Sequence, residues 1–396
     1  MLIKNTSLFY GRELDYIQNT NVRISGKYIR QIGTKLLPRK DETVFDCEGL
    51  LMMPGLINSH THIGDSIAKD IGIDSDVEQK IHPISGFKQK ILKNSNKSHL
   101  TSFVKNSCIS MIRKGITTFI DFRESGIEGI NLLKNATSDI PIRPIILGRI
   151  EYYQDFKTIK KNIPIPESGK KDLRNLLTSC DGLGISGPNE FSDSALRYFA
   201  KVKTIRAIHS AETEESNKTS KKMSKKTETQ RALLAKPHFL VHMTYASKKD
   251  LGTVAKNKIS IVVCPRANGS LAEGIPDVSL MLDAGCNIAI GTDNVMINSP
   301  DMFREMDYLW KVSMGIKKKR LTPKSILQMA TTNASNILGG RVGIIQNDKI
   351  ADCIFIEKHS IDLDPMHNPH ASIVQRASEN TIRAVMYEGE LVHGKI

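Results

Sequence analysis

The chain has 396 residues, 40% hydrophobic and 25% charged, the balance of a globular protein long enough to bury a large core. Its net charge of +14, from 56 basic against 42 acidic residues, reads as a lysine-rich solvated surface. No apolar run reaches the ~18 residues of a membrane span, the start MLIKNTSLFYGREL lacks a signal peptide's apolar segment, and the densest basic run, KTSKKMSKKTETQR (218–231), lacks aromatics for base stacking. A cytoplasmic protein with neither a membrane nor a nucleic-acid partner is expected. The six cysteines are scattered without a CxxC pair, as reduced and mostly buried thiols would be.

In chain order, residues 1–50 hold short β-patterned runs: LIKNTSLFY, NVRISGKYIRQIG and TVFDCEG. The far end, 340–396, repeats the pattern in ADCIFIE and TIRAVMYEGELVHG. Each end alone is too small for a stable core, so the two together are expected to form one small β-sandwich. Between them, over 51–339, lie eight near-continuous β-branched runs: GLINSHTH, ITTFIDF, IRPIILG, DGLGISG, IRAIHSA, FLVHMT, ISIVVCP and NIAIGTD. Such runs suit strands buried on both faces. Helical patterns alternate with them. SHLTSFVKNSCISMIRKG places apolar residues at 100, 103, 104, 108, 111 and 112 on one face, with Gly115 placed to end the helix. SDSALRYFAKV, SKKDLGTVAKN and TPKSILQMATTNASNILG follow the same pattern. Strand–helix repeats of this number and length predict an α/β fold, a (β/α)8 TIM barrel. An open doubly wound sheet is the alternative, but no Gly-rich dinucleotide fingerprint follows any strand.

Barrel active sites lie at the C-terminal ends of strands. Strand 1 ends in His60 and His62, and side chains two apart share a face. Strand 5 ends in His209 with Glu212 one turn beyond, strand 6 in His242, and strand 8 in Asp293. Imidazoles with a carboxylate suit Zn²⁺ or Fe²⁺. Singly, a strand-end histidine is more often structural, and Asp293 alone reads equally as a helix cap. All of them at the strand ends of one barrel point to a single metal site.

The segments PGLINSHTH, HSAET, LVHMT and GTDN, in that order, resemble the motifs of the amidohydrolase superfamily. CPRANGSLAEGIPDVSLMLDAGCNIAIGTD resembles the stretch joining strands 7 and 8 in its deaminase branch, which holds cytosine, guanine and S-adenosylhomocysteine deaminases and related chlorohydrolases. GIIQNDKIADCIFIE resembles the return into the terminal sandwich, so the resemblance spans nearly the whole chain. It implies His60, His62, His209 and Asp293 as ligands of one divalent ion, Zn²⁺ first and Fe²⁺ second. It places His242 beside the reacting water and makes Glu212 a proton shuttle. Branches with two metals use a carboxylated lysine on strand 4, which DGLGISGPNEFS lacks. The implied reaction is hydrolytic deamination of a heterocyclic small molecule. Asp293 takes the water's proton, Glu212 protonates a ring nitrogen, and His242 steadies the oxyanion. Hydrolysis of a cyclic amide, imide or carbon–halogen bond is the second reading, and an idle binding scaffold the third. The family's habit of assembly implies a homo-oligomer, a dimer first.

Departures and pocket candidates follow from the same alignment. Adenosine-type members carry a histidine on strand 4 in a segment like HAPYTCS; here SGPNEFS puts Ser186 at that position. Arg123 and Glu124 follow strand 2, and Arg149 and Glu151 follow strand 3. Either arginine, facing the cavity mouth, would hold a substrate carboxylate or phosphate. The long charged loop 63–92 reads first as a solvated surface loop and second as a lid, with His82 as a substrate contact. His367 and His370 lie outside the barrel and read as structural.

Overall fold

The computed structural model describes residues 1–75, 79, 86–316 and 320–396. The strands among them run β1 (Leu2–Tyr10), β2 (Asp15–Ser25), β3 (Tyr28–Gly33), β4 (Val44–Asp46) and β5 (Leu50–Pro54) at the start of the chain. Then come β6 (Leu56–His62), β7 (Ile116–Arg123), β8 (Arg143–Gly148), β9 (Gly182–Ile185), β10 (Ile205–Ser210), β11 (Phe239–His242), β12 (Ser260–Val263), β13 (Ile288–Ile290) and β14 (Asp293–Asn294). Last are β15 (Cys353–Glu357), β16 (Ile382–Tyr387) and β17 (Glu390–Gly394).

Both chain ends feed one sheet, in the order β17-β16-β15-β5-β1-β2-β3 with β4 beside β1. The late strand β15 lies antiparallel to the early β5, pairing Cys353 with Pro54 and Glu357 with Leu50. Ile3, Leu8, Val22, Met52, Phe355 and Met386 form its core. This sheet runs on to Pro54, past the expected boundary at residue 50. Gly55 alone then separates β5 from β6, and a side chain there would collide with Thr117.

The second sheet is parallel, in the order β13-β12-β11-β10-β9-β8-β7-β6-β14. The stretch 288–294 lies against β12 through Ile288–Ile290 and against β6 through Asp293 and Asn294. The sheet therefore curls, and the fold is TIM-like α/β. Its inner face is filled by side chains such as Ile57, Ile120, Phe122, Val241 and Val262, each worth ~1.5–3 kcal/mol of burial when large. The helices cover its outer face. Lys97–Arg113 is capped by Asn96, whose side chain accepts the Ser98 N–H at 2.9 Å. It buries Leu100, Val104, Cys108, Met111 and Ile112, whereas Phe103 stays 40% exposed, so the apolar stripe is narrower than the sequence pattern. Gly115 follows with φ +75°, where its missing Cβ admits Ile354 of β15.

The expected single helix over 322–339 is two pieces, Pro323–Met329 and Thr332–Ile337. Thr331 breaks it. Its hydroxyl donates back to the Leu327 carbonyl at 2.7 Å, and the Ala330 carbonyl leaves the helix to accept the Ile57 N–H of β6. No helix among the described residues is long and apolar enough to cross a membrane.

Candidate active site

Strand alternation turns the Thr61 hydroxyl to Asp121, at 3.0 Å, and aims His60 and His62 into one cavity, ring centroids 4.9 Å apart. Phe122 forms the floor, edge-on to His60 at 4.6 Å. Opposite them, Asp293 has φ +62°. That turn is tied to β6 by Asn58, which accepts the Thr292 N–H at 3.0 Å and donates to the Thr292 hydroxyl at 2.7 Å. Asp293 Oδ1 lies 3.4 Å from His60 Nε2 and 3.7 Å from His62 Nε2, while His209 Nε2 lies 3.2 Å from His60 Nε2.

Outer contacts set the tautomers. His62 Nδ1–H donates to Glu124 Oε1 at 2.9 Å, and His209 Nδ1–H to the Ile185 carbonyl at 3.2 Å. Both leave the Nε2 lone pair facing the common centre. Burial lowers all three imidazoles, His62 to about 4, so they are neutral at pH 7. Burial opposes ionisation of Asp293, yet the His60 hydrogen bond and the nearby rings hold its carboxyl far below the usual range. His60, His62 and His209 lie close enough together that they could hold a divalent ion, with Asp293 beside them. Cys264, from the end of β12, also reaches His60 and Asp293. Burial pushes its thiol well above the usual value.

On the open side of this cluster stand His242 and Glu212. His242 Nε2 is 3.2 Å from Glu212 Oε1 and 4.0 Å from Asp293 Oδ2. His242 sits at φ +71° and Met243 at φ +59°, a strained exit from β11 of the kind held at functional sites. Burial, then the Asp293 charge, raises the Glu212 carboxyl to about 8, so it is protonated at neutral pH. Behind it lies Glu273, raised to about 10 by burial and then by Glu212; its Oε2 accepts from Asn268 Nδ2 at 3.2 Å.

These groups open into a cavity of about 450 Å³ whose walls include Lys88, Arg149, Ser186, Glu190 and Glu228. Arg149 is 6% exposed, and its Nε and Nη2 have no partner among the described residues. Ser186 does line the cavity, its hydroxyl bonded to Glu190. Arg123 does not. It is buried against Gly64, with Nη1 3.8 Å from Asp121 and Nη2 3.7 Å from Glu124. The expectation of a mouth-facing arginine is corrected there, because Gly64, lacking a side chain, leaves room for the guanidinium to fold inward. His82 lies outside the described residues.

The model of the Amidohydrolase family matches residues 51–392. The chain belongs to the amidohydrolase family. A Methanothermobacter thermautotrophicus protein named as a candidate aminohydrolase is 36% identical over 99% of both chains. The 5-methylthioadenosine/S-adenosylhomocysteine deaminase of Pyrococcus furiosus is 25% identical over 99% of this chain and 94% of its own. In three dimensions the zinc complex of atrazine chlorohydrolase from Arthrobacter aurescens superposes with a TM-score of 0.83 at 17% identity, over 99% of this chain and 95% of that one.

Sequence reasoning about this amidohydrolase overlooked the residues behind the site. Lys88, on the helix Phe87–Asn94, is 3% exposed; it pairs with Glu124 and lies 3.5 Å from Asp65. The charged loop is thus packed at both described ends, with Ile63–Ala68 a buried 3₁₀ turn. Glu124 carried a signal, its place directly after β7. Glu190, Glu228 and Glu273 carried none, since nothing periodic marks them. His370 is structural, stacked on Phe9 at 4.6 Å with Nε2–H donating to the Leu14 carbonyl at 2.8 Å.

Proposed function

We propose that this amidohydrolase hydrolytically deaminates an amino-substituted heterocycle. One Zn²⁺ would be held by His60, His62, His209 and Asp293 at the mouth of a closed (β/α)8 barrel, flanked by a sandwich of 1–54 and 340–396. The observation that carries the reading is Glu212, a carboxyl raised to about 8, standing 3.2 Å from His242 across the mouth of the ligand cluster. When bound, the ion supplies hydroxide at neutral pH by lowering the pKa of a coordinated water toward ~7. Asp293, ionised and buried, takes the water's second proton. Glu212 gives its proton to a ring nitrogen, which makes the neighbouring carbon electrophilic, and is recharged by the first proton the water releases; the second, held by Asp293, leaves with the amino group as ammonia. His242 steadies the negative charge that develops on oxygen.

The unpartnered Arg149 guanidinium supports a substrate with a carboxylate or phosphate substituent. Ser186, tied to Glu190 where adenosine-type deaminases would place a histidine, supports a ring other than the adenosine of the Pyrococcus relative's substrates. The test is ammonia release by the Zn²⁺-loaded protein on nucleobases, nucleosides, pterins and triazines, each with and without an anionic substituent. Ammonia from at least one, faster for its anionic form, is expected. Ring opening without ammonia would replace deamination by cyclic-amide hydrolysis. No turnover, with metal content below about half an equivalent after reloading, would leave a binding scaffold.

A further inference from the structure

Glu212 is the proton carrier in the reading above, and the inference that follows rests on it. Its direction is set by the residue before it. Ala211 closes β10 at φ +51°, fully buried. A non-glycine residue in that region is strained and persists only where neighbours over-determine it. Two contacts do so here. The Ala211 carbonyl accepts the Tyr245 N–H at 2.9 Å, and the Ala211 N–H donates to Glu228 Oε2 at 2.9 Å.

Glu228 borders the same cavity, 5% exposed, at the first turn of the short helix Glu228–Ala232. The same Oε2 accepts the Ser216 hydroxyl at 2.5 Å, and Oε1 lies 3.5 Å from Asn189 Nδ2. The Glu228 N–H in turn donates to Asn217 Oδ1 at 3.0 Å. Arg231, one turn further along, is bound instead to Asp193, at 3.0 Å. So this buried carboxylate is satisfied by the turn around Glu212 and not by an ion pair. Burial pushes this carboxyl up to about 7, so it holds the turn as a buried hydrogen-bond acceptor rather than as half of an ion pair.

We propose that Glu228 is the positioning residue for the proton shuttle: by clamping the Ala211 N–H and the Ser216 hydroxyl it fixes the His209–Glu212 turn and aims the Glu212 carboxyl at the reacting atoms. Glu228 also forms part of the cavity wall, and in this role it acts through Glu212 rather than on the reacting atoms. Glu228→Gln keeps the volume, but it replaces the carboxylate that holds the Ala211 N–H and the Ser216 hydroxyl with a weaker amide acceptor and turns Oε1, 3.5 Å from the Asn189 amide nitrogen, into a donor that repels it.

The test is Glu228→Gln, read in two ways. Hydrogen exchange needs no assumption about the reaction: the Ala211 amide should exchange at least ~10-fold faster than in the parent, with the amides of β6 and β11 unchanged. A rate within about twofold of the parent overturns the clamp. In turnover, kcat should fall ~10–100-fold, the range for lost outer-shell partners, with KM within about threefold and metal content unchanged. The double variant Glu212→Gln/Glu228→Gln should be no slower than Glu212→Gln alone, since Glu228 acts through Glu212. Additive losses, or a loss confined to KM, overturn the positioning role. Should Glu228→Gln not fold, Ser216→Ala removes one of the two donors, and a kcat drop of ~3–10-fold replaces the first figure. If the parent releases no ammonia from any compound, the deaminase reading fails while the exchange measurement still decides the clamp.

Discussion

Glu124→Gln probes how the ligand cluster is held from behind. Glu124 is fully buried; its Oε1 accepts the His62 Nδ1–H at 2.9 Å and pairs with Lys88, and its Oε2 faces Arg123 at 3.7 Å. Burial alone would raise this carboxyl, but the Lys88 ammonium and then His62 hold it well below the ordinary value. Glutamine preserves the shape and deletes the charge. Among the described residues, Lys88, 3% exposed, is then left with Asp65 at 3.5 Å. Breaking a buried pair costs ~3–5 kcal/mol; because Lys88 also borders the cavity, its head can turn to water, and ~3 kcal/mol is expected. His62 loses a charged acceptor for an amide, which should weaken metal binding ~10–100-fold, or ~1.4–2.7 kcal/mol at 1.36 kcal/mol per tenfold. Chelator competition with Zn²⁺ reads the second figure, and urea unfolding of the metal-free protein the first. Metal affinity within about threefold of the parent, with apo stability within ~0.5 kcal/mol, would refute the Lys88–Glu124–His62 connection.

Other substitutions reach other parts of the argument. A Cβ at Gly291 would lie 2.7 Å from the His60 Cβ and backbone nitrogen; Gly291→Ala should cost ~1–3 kcal/mol and reduce bound zinc, and a variant with full zinc content and an unchanged melting point would show that β6 yields freely. Arg149→Met, filling the same buried space, should raise KM ~10–100-fold for an anionic substrate, as loss of a charged hydrogen bond does, and leave an uncharged analogue unaffected; equal effects on both would remove the anion-binding role. Arg23 grips Glu42 through paired contacts of 2.8 and 3.0 Å, and the arginine's hydrogen bond lowers the Glu42 carboxyl to about 2. This pair's stabilisation, about 1 kcal/mol, is complete above pH 4.5 and lost as pH falls through 2. Arg23→Met should therefore lower the urea midpoint at pH 6 and not at pH 2, and an equal drop at both would point to lost packing.

What could be read in the chain was what local periodicity governs. His60 and His62 share a face because strand side chains alternate, and the strand ends collect His209, His242 and Asp293 because parallel strands in such sheets end on one side. What could not be read depended on partners far away in sequence. Arg123 turned inward because Gly64 leaves space, and the helix expected over 322–339 broke because β6 takes the Ala330 carbonyl for itself. The first sheet kept β5 because β15 was there to pair with it. The acids behind Glu212 come from loops whose burial no period records.

The place of β5 between β1 and β15 also dictates an order of events during synthesis. A chain emerging from the ribosome presents β1 to β5 first, and one edge of β5 stays open until residues 55–352 have been made. β6 begins one residue beyond that unfinished edge, so His60 and His62 emerge attached to a strand still lacking its neighbour. All of the candidate ligands, up to Asp293, are synthesised before β15 arrives. A nascent chain stopped short of Cys353 would therefore carry the complete set of metal donors beside a bare apolar edge, open to pairing with another copy. The strand that protects the site from this fate is translated only after every one of those donors.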